Sequence, residues 1–249
     1  MTPLYNVVGV RKAYGPKVVL EDVNFQVSPG EAFVVLGGSG SGKSVLLRQL
    51  NGLERPDGGR VVFDGIDLAR LGERELFPVR RRVAMLFQSG ALFDSMTVFD
   101  NIAFPLRQAG GHDRETIARR VHDLLARVRL TGIEHKLPAA LSGGMKKRVA
   151  LARSLALEPE VVLYDEPTTG LDPRTSATIG SLIQTLQRQT RATSIIVTHD
   201  LPLARRVGDR VAFLHGGRFR FVGSWDEADR TGDELLAAFL AGREDIDES

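Results

Sequence analysis

Eight consecutive residues constrain this chain more than any others: Gly37-Gly38-Ser39-Gly40-Ser41-Gly42-Lys43-Ser44. They match the spacing G-x-x-x-x-G-K-[ST]. Before them, Ala32 to Leu36 is a short apolar run that reads as a buried strand. After them, residues 44–53 carry Val45, Leu46, Leu47 and Leu50 at helical spacing. A strand, a glycine turn and a helix in that order gather main-chain N–H groups around an anion, because glycine has no Cβ to keep phosphate oxygens away. The positive end of the helix, starting near Gly42, points at the same place. Lys43 can reach the β and γ phosphates of a nucleotide, and the Ser44 hydroxyl suits Mg²⁺. The segment reads as a nucleotide phosphate cradle. Kinases, GTPases and helicases share such a cradle, so it does not name the chemistry.

The rest of the composition narrows the class by exclusion. The chain has 249 residues, and 33 Lys and Arg stand against 31 Asp and Glu, a net charge of +2. That balance is too small to make nucleic acid the expected direct partner. Cysteine is absent, which excludes disulfides and thiolate metal sites and fits a cytosolic chain. The first 15 residues alternate apolar and polar positions, unlike a signal peptide. No apolar stretch reaches the roughly 18 residues that cross a bilayer, so a membrane role has to come through a partner.

Hydrophobic periodicity changes along the chain. Val7, Val8 and Val10 open a β run, and residues 18–27 give another. Asp57-Gly58-Gly59, then Val61, Val62 and Phe63, then Asp64-Gly65, form a hairpin signal. Ile117, Val121, Leu124, Leu125 and Val128 lie at helical spacing and read as core packing. A further helical pattern runs from Ser142 to Leu157. Strands return at Val161 to Tyr164, Thr193 to Thr198 and Val211 to Leu214, with helical sequence between the first two. This order predicts one α/β core lobe interrupted by a helical lobe at about residues 90–155.

Two further segments carry chemistry. Val161-Val162-Leu163-Tyr164-Asp165-Glu166 is an apolar strand ending in two acids. Carboxylates at the C-terminal end of a strand suit a metal and a water beside a phosphate cradle. Asp165 is expected to hold Mg²⁺, through water, and Glu166 to polarise the attacking water. Leu141-Ser142-Gly143-Gly144-Met145 opens a helical run with a serine and two glycines, again the makings of an anion site at a helix start. One cradle does not need a second. A head-to-tail dimer does, because each copy then supplies it to the other copy's ATP.

With these segments in order, the chain resembles the ABC ATPases, whose signature begins Leu-Ser-Gly-Gly, over about residues 4–225. The resemblance implies an α/β P-loop NTPase core of ABC type, with an N-terminal antiparallel β subdomain and an inserted helical subdomain. Residues 1–249 then form one ABC ATPase domain, with a core lobe at about 1–89 and 156–225, the helical lobe at 90–155, and a C-terminal helix and acidic tail at 226–249. It implies ATP hydrolysis with Mg²⁺. Tyr14 matches the aromatic that stacks on adenine, and Gly37 to Val45 the cradle. Gln88 matches the glutamine that touches Mg²⁺, alongside Ser44 and Asp165. Gly170-Leu171-Asp172 matches the segment that signals across the dimer, and His199 the histidine that contacts the γ-phosphate beside the catalytic Glu166. Ser142, Gly143 and Gly144 match the signature that binds the partner copy's ATP. Val45 departs from the second hydroxyl residue of many relatives, and Met145 from the usual glutamine.

Met145 followed by Lys146-Lys147-Arg148, together with residues 86–93 and 98–106, is similar to the MCE (mammalian cell entry) lipid-transport ATPases. That likeness implies an integral membrane permease and an MCE lipid-binding subunit as partners, phospholipid as cargo, and a peripheral place on the cytoplasmic face of the inner membrane. ATPases of other ABC transporters, for amino acids or lipoprotein release, share the same catalytic motifs. DNA-maintenance ABC ATPases usually carry long heptads or a second nucleotide domain, and neither is present here. The apolar stretch from Ala91 to Phe104 is expected to dock the permease in part, with Ile102 and Phe104 in the core. The acidic stretch Glu244 to Glu248 reads as a solvated end.

Overall fold

The computed structural model describes residues 2–243. From the N-terminus, β1 (Tyr5–Tyr14) and β2 (Lys17–Val27) form a hairpin and β3 (Ala32–Leu36) leads to α1 (Lys43–Leu50). β4 (Gly58–Phe63) and β5 (Ile66–Asp67) precede α2 (Glu73–Arg82). Next come β6 (Val83–Leu86), α3 (Val98–Ala109), α4 (Arg114–Arg127), α5 (Gly143–Ser154), β7 (Val161–Asp165) and α6 (Pro173–Thr190). β8 (Thr193–Thr198), α7 (Leu201–Val207), β9 (Arg210–His215), β10 (Arg218–Ser224), α8 (Trp225–Asp229) and α9 (Glu234–Leu240) follow. The chain divides into two compact units, residues 1–80 with 193–249, and residues 81–192. The acidic stretch from Glu244 lies outside the described residues.

In the first unit, an antiparallel sheet runs in the order β2-β1-β4-β5. Its inner face buries Tyr5, Val7, Val10, Val23, Val27, Val61 and Phe63. The Tyr5 hydroxyl donates to the carbonyl of Leu50, 2.6 Å away, and so ties this sheet to the end of α1. Only one of the two expected turns makes a hairpin. Asp64 and Gly65, with φ of 50° and 79°, connect β4 to β5, as a two-residue turn with both central residues left-handed requires. Asp57-Gly58-Gly59 instead opens β4 against β1. Gly58 pairs with Arg11, and the Asp57 carboxylate accepts the Ala13 N–H at 2.7 Å.

The second sheet of this unit sets β9, β3 and β8 side by side in parallel, with β10 antiparallel to β9. β3 is buried along its whole length. That explains its unbroken run of apolar residues, since a parallel strand covered on both faces has no polar side. Leu36 at its end lies opposite Thr198 of β8 and Phe213 of β9.

In the second unit, β6 and β7 pair in parallel from Val83↔Val161 to Leu86↔Tyr164. Ile117, Val121, Leu124 and Leu125 of α4 are buried, as their spacing predicts. The stretch from Ala91 to Phe104 is less of a linker than its sequence suggests. Thr97 caps α3 by accepting the Asp100 N–H, and Pro105 lies within the helix. Val98, Ile102 and Ala103 are buried, whereas Phe104 is only half-buried, with its ring 5.0 Å from that of Phe93.

Asn101 is fully buried and holds the segment ahead of α3. Its Oδ1 accepts the Phe93 N–H, and its Nδ2 lies 3.0–3.1 Å from the carbonyls of Phe93, Met96 and Thr97. Asn101→Leu keeps the volume but strands these main-chain groups. Urea denaturation should show a loss of about 2–4 kcal/mol.

Candidate functional site

Residues 37–44 bridge β3 and α1 in the first unit, so the strand, turn and helix context of the motif is met. The glycines are there for a reason of space. A Cβ on Gly37 would come within 2.4 Å of the Leu214 carbonyl oxygen. Gly42, with φ of 101°, lies against Leu20 and the Val19 carbonyl, each 2.9 Å from where its Cβ would be. Lys43 is buried, and its ammonium donates to the carbonyls of Gly37 at 2.8 Å and Gly38 at 2.7 Å. The loop therefore closes around a positive charge. Ser41 is buried, and its Oγ has no hydrogen-bond partner among the described residues. A buried hydroxyl left without a partner costs free energy unless a ligand accepts from it. A phosphate oxygen fits that donor. Ser44 and Val45 are half-buried on the first turn of α1.

The same unit carries two other predicted residues, His199 placed by strand register and Tyr14 tied to α1 through Glu54. His199 is exposed in the turn just beyond β8, one residue after Thr198, which lies opposite the end of β3. Asp200 caps α7 by accepting the Leu203 N–H at 3.0 Å and so fixes the path of that turn. Tyr14 ends β1 with its ring half exposed, and its hydroxyl donates to Glu54. Glu54 also pairs with Arg48 of α1 at 3.1 Å, which anchors the aromatic to the helix that follows the cradle. Burial and the bond to Glu54 hold the Tyr14 phenol above its ordinary pKa.

The second unit carries the other predicted residues. β6 and β7 end in register, so Gln88, two residues beyond Leu86, and Asp165-Glu166, just beyond Tyr164, leave the same end of the pair. Gln88 is exposed, while Asp165 and Glu166 are buried. Glu166 adopts a left-handed backbone with φ of 45°, a conformation that costs a residue with a Cβ of order 1–3 kcal/mol. Thr169 helps to hold it, donating its N–H to the Glu166 carbonyl at 3.2 Å and its hydroxyl to the carboxylate at 3.3 Å.

Ser142 is the exposed N-cap of α5, and its Oγ accepts the Met145 N–H at 3.3 Å. Gly143 is exposed beside it. Gly144 is different. It is buried, and a Cβ there would come within 2.5 Å of the Thr175 methyl on α6. Its small size serves the packing of α5 on α6. Asp172 caps α6, and hydrogen bonds from Thr175 hold its carboxyl below the ordinary range.

The sequence places Lys147 only within a basic run. It is buried, and its ammonium donates to the Gln88 carbonyl and, at 3.4 Å, to the Glu166 carbonyl. Burial pulls its pKa down, against the pull of Asp165 and Glu166 upward. A signal was available: Lys147 lies three residues from Gly144 and four from Leu151, on the buried stripe of α5. Among the described residues no three His, Asp or Glu gather as a metal cluster, and no helix is long and apolar enough to cross a membrane.

A phosphate cradle on a strand-to-helix turn, in a chain whose second parallel pair ends in two carboxylates, defines a P-loop nucleotide-binding protein. The ABC transporter family model matches residues 20–169, and the chain belongs to that family as its ATP-binding domain. It is 41% identical over 235 residues to the "Probable ribonucleotide transport ATP-binding protein mkl" of Mycobacterium bovis, covering 94% of this chain and 66% of that protein. It thus spans slightly less than two thirds of that relative's length. It is 46% identical over 215 residues to the methionine import ATP-binding protein MetN of Caulobacter vibrioides, covering 86% of this chain and 64% of that one. Among solved structures, the dimeric post-hydrolysis state of the ATP-binding cassette MJ0796 bound to ADP and Pi superposes with a TM-score of 0.82 at 32% identity, over 88% of this chain and 98% of that one. The cbiO1 protein of Clostridium perfringens, described as part of the ABC transporter complex cbiONQ, gives 0.83 at 29% identity, over 96% of each chain.

The packing role of Gly144 can be separated from any role toward phosphate. Gly144→Ala should lower stability by about 1–3 kcal/mol through overpacking. Adding Thr175→Ser removes the opposing methyl and should restore most of that loss in thermal denaturation.

Proposed function

We propose that this chain is the ATP-hydrolysing subunit of a membrane ABC transport complex, and that two copies, head to tail, enclose two ATP molecules. The observation that carries this reading is the common end of β6 and β7, where Gln88, Asp165 and Glu166 emerge together. In this reading Tyr14 stacks on adenine, and the main-chain N–H groups and side chains from Gly37 to Val45 hold the phosphates. Lys43 neutralises the β and γ phosphates. Glu166 accepts a proton from water as the water oxygen bonds to the γ-phosphorus and the bond to the ADP oxygen breaks. His199 contacts the γ-phosphate. Ser142 and Gly143, with Gly144 behind them, face the ATP of the other copy. The lobe at residues 90–155 carries this signature toward the partner.

Ser44, Gln88 and Asp165 offer only oxygen donors, the set that suits Mg²⁺ shared with substrate phosphates and water. When bound, Mg²⁺ supplies charge neutralisation at the phosphates.

For cargo, we propose phospholipids moved with a permease and an MCE-type lipid-binding subunit, from the cytoplasmic face of the inner membrane. This rests on Ser142-Gly143-Gly144-Met145 with its basic residues and on the segments at 86–93 and 98–106. Amino-acid import is the second reading, supported by the likeness to the methionine import protein.

Glu166→Gln keeps the shape and loses the base. Turnover should fall about 10²–10⁴-fold with ATP binding retained, measured by phosphate release and by equilibrium binding. Pairing one Glu166→Gln copy with one Ser142→Arg copy should leave one intact composite site and about half of wild-type turnover. Equal loss at both sites refutes the head-to-tail arrangement.

Phe93 is 42% exposed, and Ala91 is exposed beside it. Phe93→Ala should leave turnover of the isolated subunit intact and weaken permease capture, since a few apolar anchors usually dominate such contacts. Pull-down of the permease and lipid transfer between vesicles measure this, and methionine uptake in place of lipid transfer decides for the second reading.

A further inference from the structure

We propose that Lys147 is a positioning residue that makes α5 a stiff link between Ser142, at its start, and the two residues that leave β6 and β7, Gln88 and Glu166. The inference rests on the nucleotide reading above and assigns to the second unit a coupling element within its own fold.

The contacts are to main chain. Lys147 donates to the Gln88 carbonyl and to the Glu166 carbonyl, the latter at 3.4 Å. Holding a residue's carbonyl fixes where its side chain begins, and both of these residues need that. Gln88 starts the segment that runs on to α3, and Glu166 has a left-handed backbone that neighbours must impose. One ammonium with three donors can hold both carbonyls at once.

α5 reinforces this grip further along. Arg153, six residues on, donates to the carbonyls of Gly90 at 3.0 Å and Ala91 at 2.9 Å, and its guanidinium lies 5.7 Å from the centre of the Phe93 ring. Burial lowers its pKa from the ordinary arginine value. One helix therefore holds three carbonyls in the stretch 88–91 and one beyond β7.

The other end of α5 is Ser142. Five residues of α-helix separate it from Lys147, about 7.5 Å along the axis. Gly144 between them lies tight against Thr175, which limits rotation of α5 about its axis. A displacement at Ser142 then reaches Gln88 and Glu166 through a hydrogen-bonded helix and a single side chain. A group that acts through geometry in this way affects the rate of the chemical step more than nucleotide affinity.

The test uses the full chain and four variants. Lys147→Met keeps the length and loses the donor. Lys147→Arg keeps a charged donor, and Lys147→Gln is a shorter neutral donor. Glu166→Gln serves as the control for the nucleotide reading. ATP affinity is measured by equilibrium binding, and kcat and KM by phosphate release. For Lys147→Met we expect ATP affinity and KM within about two-fold of wild type and a kcat lower by about ten-fold or more, with Lys147→Arg recovering most of it. Where Lys147→Met does not yield folded chain, Lys147→Gln is read in the same way.

A kcat within two-fold of wild type in Lys147→Met, with Glu166→Gln inactive, removes the inference and leaves the nucleotide reading standing. Equal losses of affinity and kcat, or an arginine variant as slow as the methionine one, make Lys147 a folding residue and also overturn it. A wild-type chain that binds no ATP overturns both.

Discussion

Parallel strand pairing is the constraint on which the rest of this structure depends. Parallel neighbours cannot be joined by a tight turn, so each connection crosses through other structure and the carboxyl ends of the strands collect on one edge. In the first unit, Leu36 of β3 lies opposite Thr198 of β8, which brings the glycine loop and His199 out together. In the second, Leu86 lies opposite Tyr164, which does the same for Gln88 and the two acids. A slip of one residue in either register would exchange the side chains packed on the strand's two covered faces and displace its functional residue with them.

Loops leaving these strand ends have unpaired main-chain carbonyls, and cationic side chains take them up. Lys43 takes those of Gly37 and Gly38, and Lys147 those of Gln88 and Glu166. Arg153 takes Gly90 and Ala91, and Arg80 of α2 reaches the carbonyls of Asn51 and Gly52 just after α1. Charge-assisted bonds of this kind are stronger than neutral ones, and a buried carbonyl without a donor is costly. The pattern gives these lysines and arginines a role that surface ion pairs do not have. Pairs such as Arg205 with Asp229 are exposed and contribute little to stability.

The helix starts show how one motif divides its work. Ser142, Gly143 and Gly144 read alike as an anion site in the sequence, but only the first two face solvent. Gly144 answers to Thr175 and allows α5 to approach α6. Glycine conserves space as readily as it admits a ligand, and the linear pattern does not distinguish the two uses.

Much of the fold was legible in the chain itself. Ala32 to Leu36 is apolar at every position because both faces are covered, and the glycines and lysine after it follow from the demands of an anion on the backbone. The Ile117 to Leu125 stripe announced a helix and its buried face together. The acids beyond Tyr164 were visible because an apolar strand ends on them. Tertiary structure decided the rest. β6 is too short, at Val83–Leu86, to show a period of its own, and α3 looked like an apolar connection until Thr97 capped it and Asn101 tied down the segment before it. Lys147 stands in a run of three cations, Lys146-Lys147-Arg148. Its spacing from Gly144 and Leu151 puts it on the buried stripe of α5, but what it bonds there is decided by the tertiary structure, because the preference of an ammonium for water is overcome when main-chain carbonyls distant in sequence are brought within its reach.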